Sequence, residues 1–245
     1  MKRLFALLVL VMTAAIAFGQ APPAMLGIHE DVVKPSMDSK FREGVKKLKA
    51  ACEQSKTSFG WTTIAFDDNS YAHVFPLTKY GDLDKNPFAD LEAKIGGETV
   101  GKLFGEMDAC LEKHFDFVVT PLPSLSYLTP AAGENSRDFL FWTVFPGKER
   151  EAEAIIAEWK KLYESKKAPA GFLVSKIAMG MDMGYAIVAW GKDPVDIATK
   201  DAKTHELTNG EEAGKLWART QAITQKFSNK RATVLPELSY TPAKQ

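Results

Sequence analysis

Two short stretches hold most of the side chains able to do acid–base or coordination chemistry: His29-Glu30-Asp31 and Tyr71-Ala72-His73-Val74-Phe75. In an extended chain side chains two apart share a face, so His29 pairs with Asp31, and Tyr71 with His73 and Phe75. Brought together, two imidazoles, a carboxylate and a phenol would transfer protons near neutral pH or form the polar end of a binding pocket. Imidazole and carboxylate also suit Zn or Fe, but His29, His73 and Asp31 lack the short-spaced ligand pair of a metal motif, and no metal is assigned to them. Met179-x-Met181-x-Met183 alternates thioethers that suit Cu(I), yet alternation at a hairpin tip is ordinary strand-end packing. His114 falls late in a helical stretch, where the helix dipole favours a cation without any function. His205, in Lys203-Thr204-His205-Glu206, reads as a solvated surface residue. The sequence holds no Gly-rich phosphate loop after a strand, no Gly-x-Ser-x-Gly, no Cys-x-x-Cys and no His-Glu-x-x-His, and Asp67-Asp68 belongs to a turn. Hydrolase and disulfide-exchange chemistry lose ground accordingly.

The elements that must position these residues occur twice. At an offset of 113, Gly97–Tyr127 aligns without a gap on Gly210–Tyr240, with 13 of 31 positions identical, where chance gives about two. Leu122-Pro123-x-Leu125-Ser126-Tyr127 returns as Leu235-Pro236-x-Leu238-Ser239-Tyr240. Upstream, Tyr71-Ala72-His73-Val74 meets Tyr185-Ala186-Ile187-Val188, and Val45/Leu48 meets Ile156/Trp159. Each copy reads as strand, amphipathic helix, two strands joined by a tight loop, a helical stretch broken at Gly96-Gly97 or Asn209-Gly210, and a Pro-marked extended segment. In copy one the broken stretch is expected to run through Phe115 and in copy two through Phe227. Residues 20–128 and 137–245 form the copies, and the small, turn-forming residues 129–136 link them.

Met1–Gly19 reads as a secretory signal: Lys2-Arg3, an apolar run from Leu4 to Ala17, and Ala17-Phe18-Gly19 as the cleavage site. The run is shorter than the roughly 20 residues that span a bilayer, so a periplasmic or secreted protein without a membrane anchor is expected. Balanced charge, 31 basic against 31 acidic residues, leaves no phosphate-neutralising patch and argues against nucleic acid. Export permits a disulfide, and Cys52 and Cys110 both fall on apolar helix faces. A bridge between them and two buried thiols are both compatible with the spacing.

A β-α-β-β-α-β order gives a four-stranded antiparallel sheet with both helices on one face, the ferredoxin-like arrangement. Phe139-Leu140-Phe141-Trp142-Thr143-Val144-Phe145 is apolar on both sides, which requires cover on both faces, and two sheets facing each other provide it. Such a unit, with its broken second helix and a sheet face needing a partner, resembles the dimeric α+β barrel superfamily, which includes NIPSNAP-type proteins, stress-responsive barrel proteins and antibiotic-biosynthesis-type monooxygenases. Tyr80-Gly81-Asp82-Leu83 and Phe88-Ala89-Asp90-Leu91-Glu92 are similar to the segment after the third strand in NIPSNAP-like sequences. The resemblance implies an α+β fold of two tandem ferredoxin-like units forming a barrel within one chain. It also admits haem, with His205 as the axial ligand to consider, but the flanking sequence matches no haem motif and no cofactor is expected.

With Leu26 and Ile28 set against the helices, His29, Asp31, Tyr71, His73 and Phe75 would face the barrel interior. The matching positions of copy two, Leu140, Trp142, Tyr185 and Ile187, would complete an interior that is polar on one side and apolar on the other. That asymmetry suits a small, partly apolar ligand held between the sheets, with no catalysis required. The alternative implied by the resemblance is a cofactor-free monooxygenase acting on an aromatic substrate, with His29 or His73 as proton acceptor. A structural or envelope-interaction role is the third reading, and it calls for an apolar outer patch. The leader makes a direct prediction: intact-mass measurement of the exported product gives a chain beginning at Gln20, and a product retaining Met1–Gly19 overturns the assignment.

Overall fold

The computed structural model describes residues 24–243; the leader expected over Met1–Gly19 lies outside them. The strands are β1 (Met25–Val33), β2 (Thr62–Phe66), β3 (Ser70–Leu77), β4 (Leu111–Pro121), β5 (Ser136–Val144), β6 (Leu173–Met179), β7 (Gly184–Gly191) and β8 (Thr224–Val234). The helices are α1 (Asp38–Ser55), α2 (Ala89–Ile95), α3 (Gly97–Asp108), α4 (Glu149–Lys166), α5 (Pro194–Thr208) and α6 (Glu211–Ile223). Phe41, Val45, Leu48 and Cys52 make one buried stripe along α1, and Ala152, Ile155, Ile156 and Leu162 make its counterpart on α4. Both helices stop at a lysine in the left-handed region, Lys56 (φ 50) and Lys167 (φ 49). The break between α2 and α3 falls at Gly96, whose φ of 87 is cheap only for glycine.

All eight strands close into one antiparallel barrel in the order β1-β3-β2-β8-β5-β7-β6-β4. Within it β4-β1-β3-β2 and β8-β5-β7-β6 each run in the ferredoxin-like order, and the pairs β2–β8 and β4–β6 join them at both edges. The expected pair of facing sheets is thus a single closed sheet without an edge strand. Both helical stretches end earlier than periodicity suggests. α3 stops at Asp108 and α6 at Ile223, so His114 lies on β4 and Phe227 on β8.

The faces of the strands are the reverse of the sequence expectation. Leu26, Ile28, Phe115, Phe117, Phe141 and Ile177, from four strands, meet inside the barrel, as do Ile28, Ile64, Phe66, Ala72, Phe139 and Ala232. Glu30 also points inward. Its carboxylate lies 2.8 Å from Lys230 Nζ and accepts a hydrogen bond from Ser70 Oγ at 2.9 Å, while Lys230 reaches Asp68 at 2.8 Å. His29, Asp31, Tyr71, His73 and Phe75 therefore lie on the outer face, under α1–α3. Leu140, Trp142, Tyr185 and Ile187 lie likewise under α4–α6. An eight-stranded barrel has an interior just wide enough for its own side chains, so its inner face is as apolar as the helix-covered one. Polarity alone did not distinguish them.

Cys52 and Cys110 are free thiols, both fully buried in the core under α1–α3. Burial raises the Cys52 thiol above its ordinary range, and Cys110 Sγ donates to the Glu106 carbonyl. They pack as small hydrophobes, so the bridge considered from spacing is not formed.

The repeated Leu-Pro-x-Leu-Ser-Tyr segments cross over. Residues 122–127, which follow β4, bind along β6: Leu122 N–H donates to Val174 O, Val174 N–H donates to Ser126 Oγ, and Tyr127 pairs with Phe172. Residues 235–240, which follow β8, bind along β2 in the same way. Leu235 N–H donates to Thr63 O, Thr63 N–H donates to Ser239 Oγ, and Tyr240 pairs with Trp61. Each strap seals the helix-side core opposite the strand it extends, and Leu238 is fully buried among Trp61, Leu48 and Cys52. Leu238→Ala is accordingly expected to cost about 2–5 kcal/mol in urea unfolding. Glu237→Ala, at an exposed neighbour, should stay within about 0.5 kcal/mol. Equal small losses for both would show the strap to be merely apposed.

Candidate functional site

Between the outer face of β1, β3 and β4 and the helices α1–α3 lies a cavity of about 400 Å³. Its apolar wall is an aromatic set built by spacing. Phe59 stands 5.3 Å from both Phe75 and Phe88, and Phe88 stands 5.0 Å from Phe104. Such tilted and edge-on contacts favour flat ring partners. Trp61 is fixed there by Nε1 donating to Leu238 O at 2.9 Å. Gly27 on β1 makes room for this wall, because a Cβ there would sit 2.3 Å from the Phe75 ring.

The opposite end is polar and comes from the β1–β4 register. His29 faces Asp116 and Asp31 faces His114 across the strand pair, and His73 faces His29 from β3. His29 Nδ1 meets Asp116 Oδ1 at 2.8 Å, and its Nε2 lies 3.1 Å from Asp31 Oδ1. His73 Nε2 lies 3.5 Å from the other Asp31 oxygen. Thr63 Oγ1 donates to Leu238 O at 2.9 Å, so at 3.1 Å from His73 Nδ1 it accepts from that ring. Asp31 Oδ1 is buried without a directed hydrogen bond, His29 approaching it obliquely.

Electrostatics follow from these contacts. The Asp31 carboxylate against the ring, with Asp116 on the other nitrogen, raises His29 from 6.5 to about 9 despite burial. Burial pushes Asp31 upward, but the two imidazoles outweigh it and hold the acid at about 2. Near neutrality His29 is an imidazolium beside a carboxylate, which makes it a donor and not a base. Tyr71 is committed elsewhere. Its hydroxyl donates to Asp38 and accepts from Arg42 Nε at 2.7 Å, and burial with Asp38 pushes it up to about 12.

Of the residues singled out in the sequence, His29, Asp31, His73 and Phe75 line this cavity. Leu140 and Ile187 line a second one, about 320 Å³, beneath α4 and α5 with Asp138, Tyr163 and Asp201. Trp142 and Tyr185 are buried in the core beside it. The two groups lie on outer faces of different parts of the barrel, so one shared pocket between sheets does not form. The pairings Leu140↔Asn229 and Trp142↔Phe227 repeat His29↔Asp116 and Asp31↔His114. At these four positions the second copy carries apolar or neutral side chains where the first carries histidines and acids. His114 was missed because it was placed in a helical stretch expected to run through Phe115, and Asp116 because it falls just past that stretch's expected end. The alternation Phe115-x-Phe117-x-Val119 was the signal for a strand.

His29, Asp31 and His114 bring one ligand atom each to within 4.8 Å of one another, a set able to hold a metal ion. His205, the axial haem ligand to consider from the sequence, is exposed on α5 and lines neither cavity.

No family model matches the sequence, and no curated protein does either. Solved structures do. A "putative monooxygenase" from Lactobacillus acidophilus NCFM is 8% identical with a TM-score of 0.56, over 90% of this chain and 97% of its own. An anthrone oxidase-like protein is 13% identical with a TM-score of 0.58, over 87% and 92%. A mutant chlorite dismutase from Candidatus Nitrospira defluvii is 9% identical with a TM-score of 0.54, over 89% and 93%. The chain shares its fold with these proteins. At these identities the likeness concerns the fold alone, and the side chains carry the functional argument.

The charge state of His29 is measurable. Its folded-state pKa is raised, so its contribution to stability is complete below pH 6.5 and is lost as pH rises through about 9. Asp31, lowered from 3.8 to about 2, contributes fully above 3.8 and loses that contribution as pH falls through 2. Histidine NMR titration of chelator-treated protein should show one imidazole with a midpoint near 9 that is lost in His29→Gln; a midpoint near 6.5 would refute the pairing.

Proposed function

We propose that the protein binds a small molecule with a flat apolar body and one polar end in the cavity beneath α1–α3. The supporting observation is the cavity itself: about 400 Å³, walled by Phe59, Phe75, Phe88 and Phe104, and closed at one side by His29, Asp31 and His73. Pockets of this size with few convergent polar groups are the usual form of a ligand site. The site differs from the one expected between the sheets, while the class of ligand is unchanged. In this reading the chain is exported, with residues 1–19 removed, and residues 20–128 and 137–245 are tandem ferredoxin-like units joined by 129–136. The matching element order of the two halves and the 113-residue repeat support the duplication. The first unit holds the ligand, and the second completes the barrel and supplies the sealing strap.

A cofactor-free monooxygenase is the second reading, favoured by the neighbours described as a monooxygenase and an anthrone oxidase-like protein. Since His29 is protonated near neutrality, the proton acceptor would be His73. One experiment addresses both readings: calorimetric titration and oxygen-uptake assays with a panel of hydroxylated polycyclic aromatics, on wild type, Phe88→Ala, His73→Ala and Leu140→Ala. Binding weakened about tenfold or more by Phe88→Ala, one strong contact, and unchanged by Leu140→Ala supports the site. Binding insensitive to Phe88→Ala refutes it. Turnover lost in His73→Ala with affinity retained favours the enzyme, whereas binding without turnover in wild type favours the carrier.

A further inference from the structure

The polar end of the first cavity carries a feature that ligand binding does not require. His29 and Asp31 stand two apart on β1, His114 and Asp116 stand two apart on β4, and antiparallel register sets each histidine opposite an acid of the other strand. All four side chains share the outer face. The His29 and His114 rings meet edge to face at 5.3 Å. The ligand atoms of His29, Asp31 and His114 lie within 4.8 Å of one another.

We infer that His29, Asp31 and His114 form a binding site for a divalent first-row transition-metal ion such as Zn²⁺ or Fe²⁺. Two imidazoles and one carboxylate are the donor set that such ions take when some coordination positions stay open. Three observations support it. The Asp31 oxygen nearest His29 is buried and lacks a directed donor, the state of an acceptor awaiting a cation. Asp116 holds His29 through Nδ1 at 2.8 Å, leaving Nε2 for the metal in the carboxylate–histidine–metal relay that orients metal-bound imidazoles. His73 Nε2 lies 3.5 Å from the second Asp31 oxygen, and the first is the one that faces His29.

An ion about 2.1 Å from each ligand needs ligand atoms roughly 3–3.5 Å apart. His114 is exposed, so it can swing inward by the remaining ångström or so. The ion would sit beside His29 Nε2 and Asp31 Oδ1, which lie 3.1 Å apart. Its remaining positions would face the cavity, open to water or to an oxygen atom of an occupant. The site stands whether or not the apolar wall binds an aromatic molecule. The second copy has Leu140, Trp142 and Phe227 at the same three places, none of them a ligand for such an ion, so one site per chain is expected.

The test uses metal salts alone. Chelator-treated protein is titrated with zinc chloride by calorimetry and with cobalt(II) chloride by visible absorption. One ion per chain is expected, with a cobalt ligand-field band. His114→Ala should weaken binding at least tenfold and abolish the band, and His205→Ala should change neither. Asp116→Asn, at an exposed side chain on the orienting position, should keep the stoichiometry but weaken affinity by about 10–100-fold. Circular dichroism checks that each variant folds, and if His114→Ala does not, Asp116→Asn carries the test. Absence of binding at micromolar zinc, or binding undiminished in folded variants of His114 and Asp116, overturns the assignment.

Discussion

Closure of the sheet is the constraint on which the rest depends. Eight strands that meet edge to edge leave no unpaired backbone rim, and each strand must then bury both of its faces, one in the barrel and one beneath helices. Phe139-Leu140-Phe141-Trp142 satisfies that demand by being apolar throughout: Phe139 and Phe141 enter the barrel, and Trp142 enters the core under α4 and α6. Even Glu30, 3% exposed, is tolerated inside only because Lys230 crosses from β8 to meet it. Removing either partner alone would leave a buried charge uncompensated, a far larger cost than the pair's own net contribution.

Once both faces are committed, a site can open only where helices stand away from the sheet. The first half does this beneath α1–α3 and lines the opening with His29, Asp31, His73, His114 and Asp116. The second half has Leu140, Trp142, Ile187, Phe227 and Asn229 at the matching positions, and there Trp142 and Phe227 stack at 6.1 Å. The chemistry has been concentrated in one half of a near-symmetric frame. Within it, opposite charges on adjacent strands hold each other in place, which keeps His29 charged and Asp31 ionised without any partner from outside.

Much of the frame was legible in the sequence, because each weak signal recurs about 113 residues on: the α1 and α4 stripes, the tight hairpins, the breaks at Gly96 and Asn209-Gly210. Gathering His29, Asp31 and His73 on one face was also legible, since a two-residue period fixes which side chains share a side. Which side that is was not. A closed barrel has apolar surfaces on both sides of its wall, and Leu26 and Ile28 fit the inside as well as they would have fitted the helices; a one-residue difference in reading inverts the whole strand. His114 was hidden by a boundary. Helical periodicity runs on past Asp108 into residues that alternate, and alternation takes over only from Leu111, so the histidine completing the cluster was read as belonging to the element before it.

The crossed straps give the chain a direction in time. The segment that seals the second half, residues 122–127, is synthesised before that half begins, whereas the segment that seals the first half, residues 235–240, is made only after β8. Trp61 and Thr63 obtain their acceptor at Leu238 from 177 and 175 residues downstream. Contacts of such range form late, after the loop-closure entropy has been met. The half that bears the titratable cluster therefore emerges before the other, yet its cavity wall becomes complete only once β8 and the strap that follows it are present.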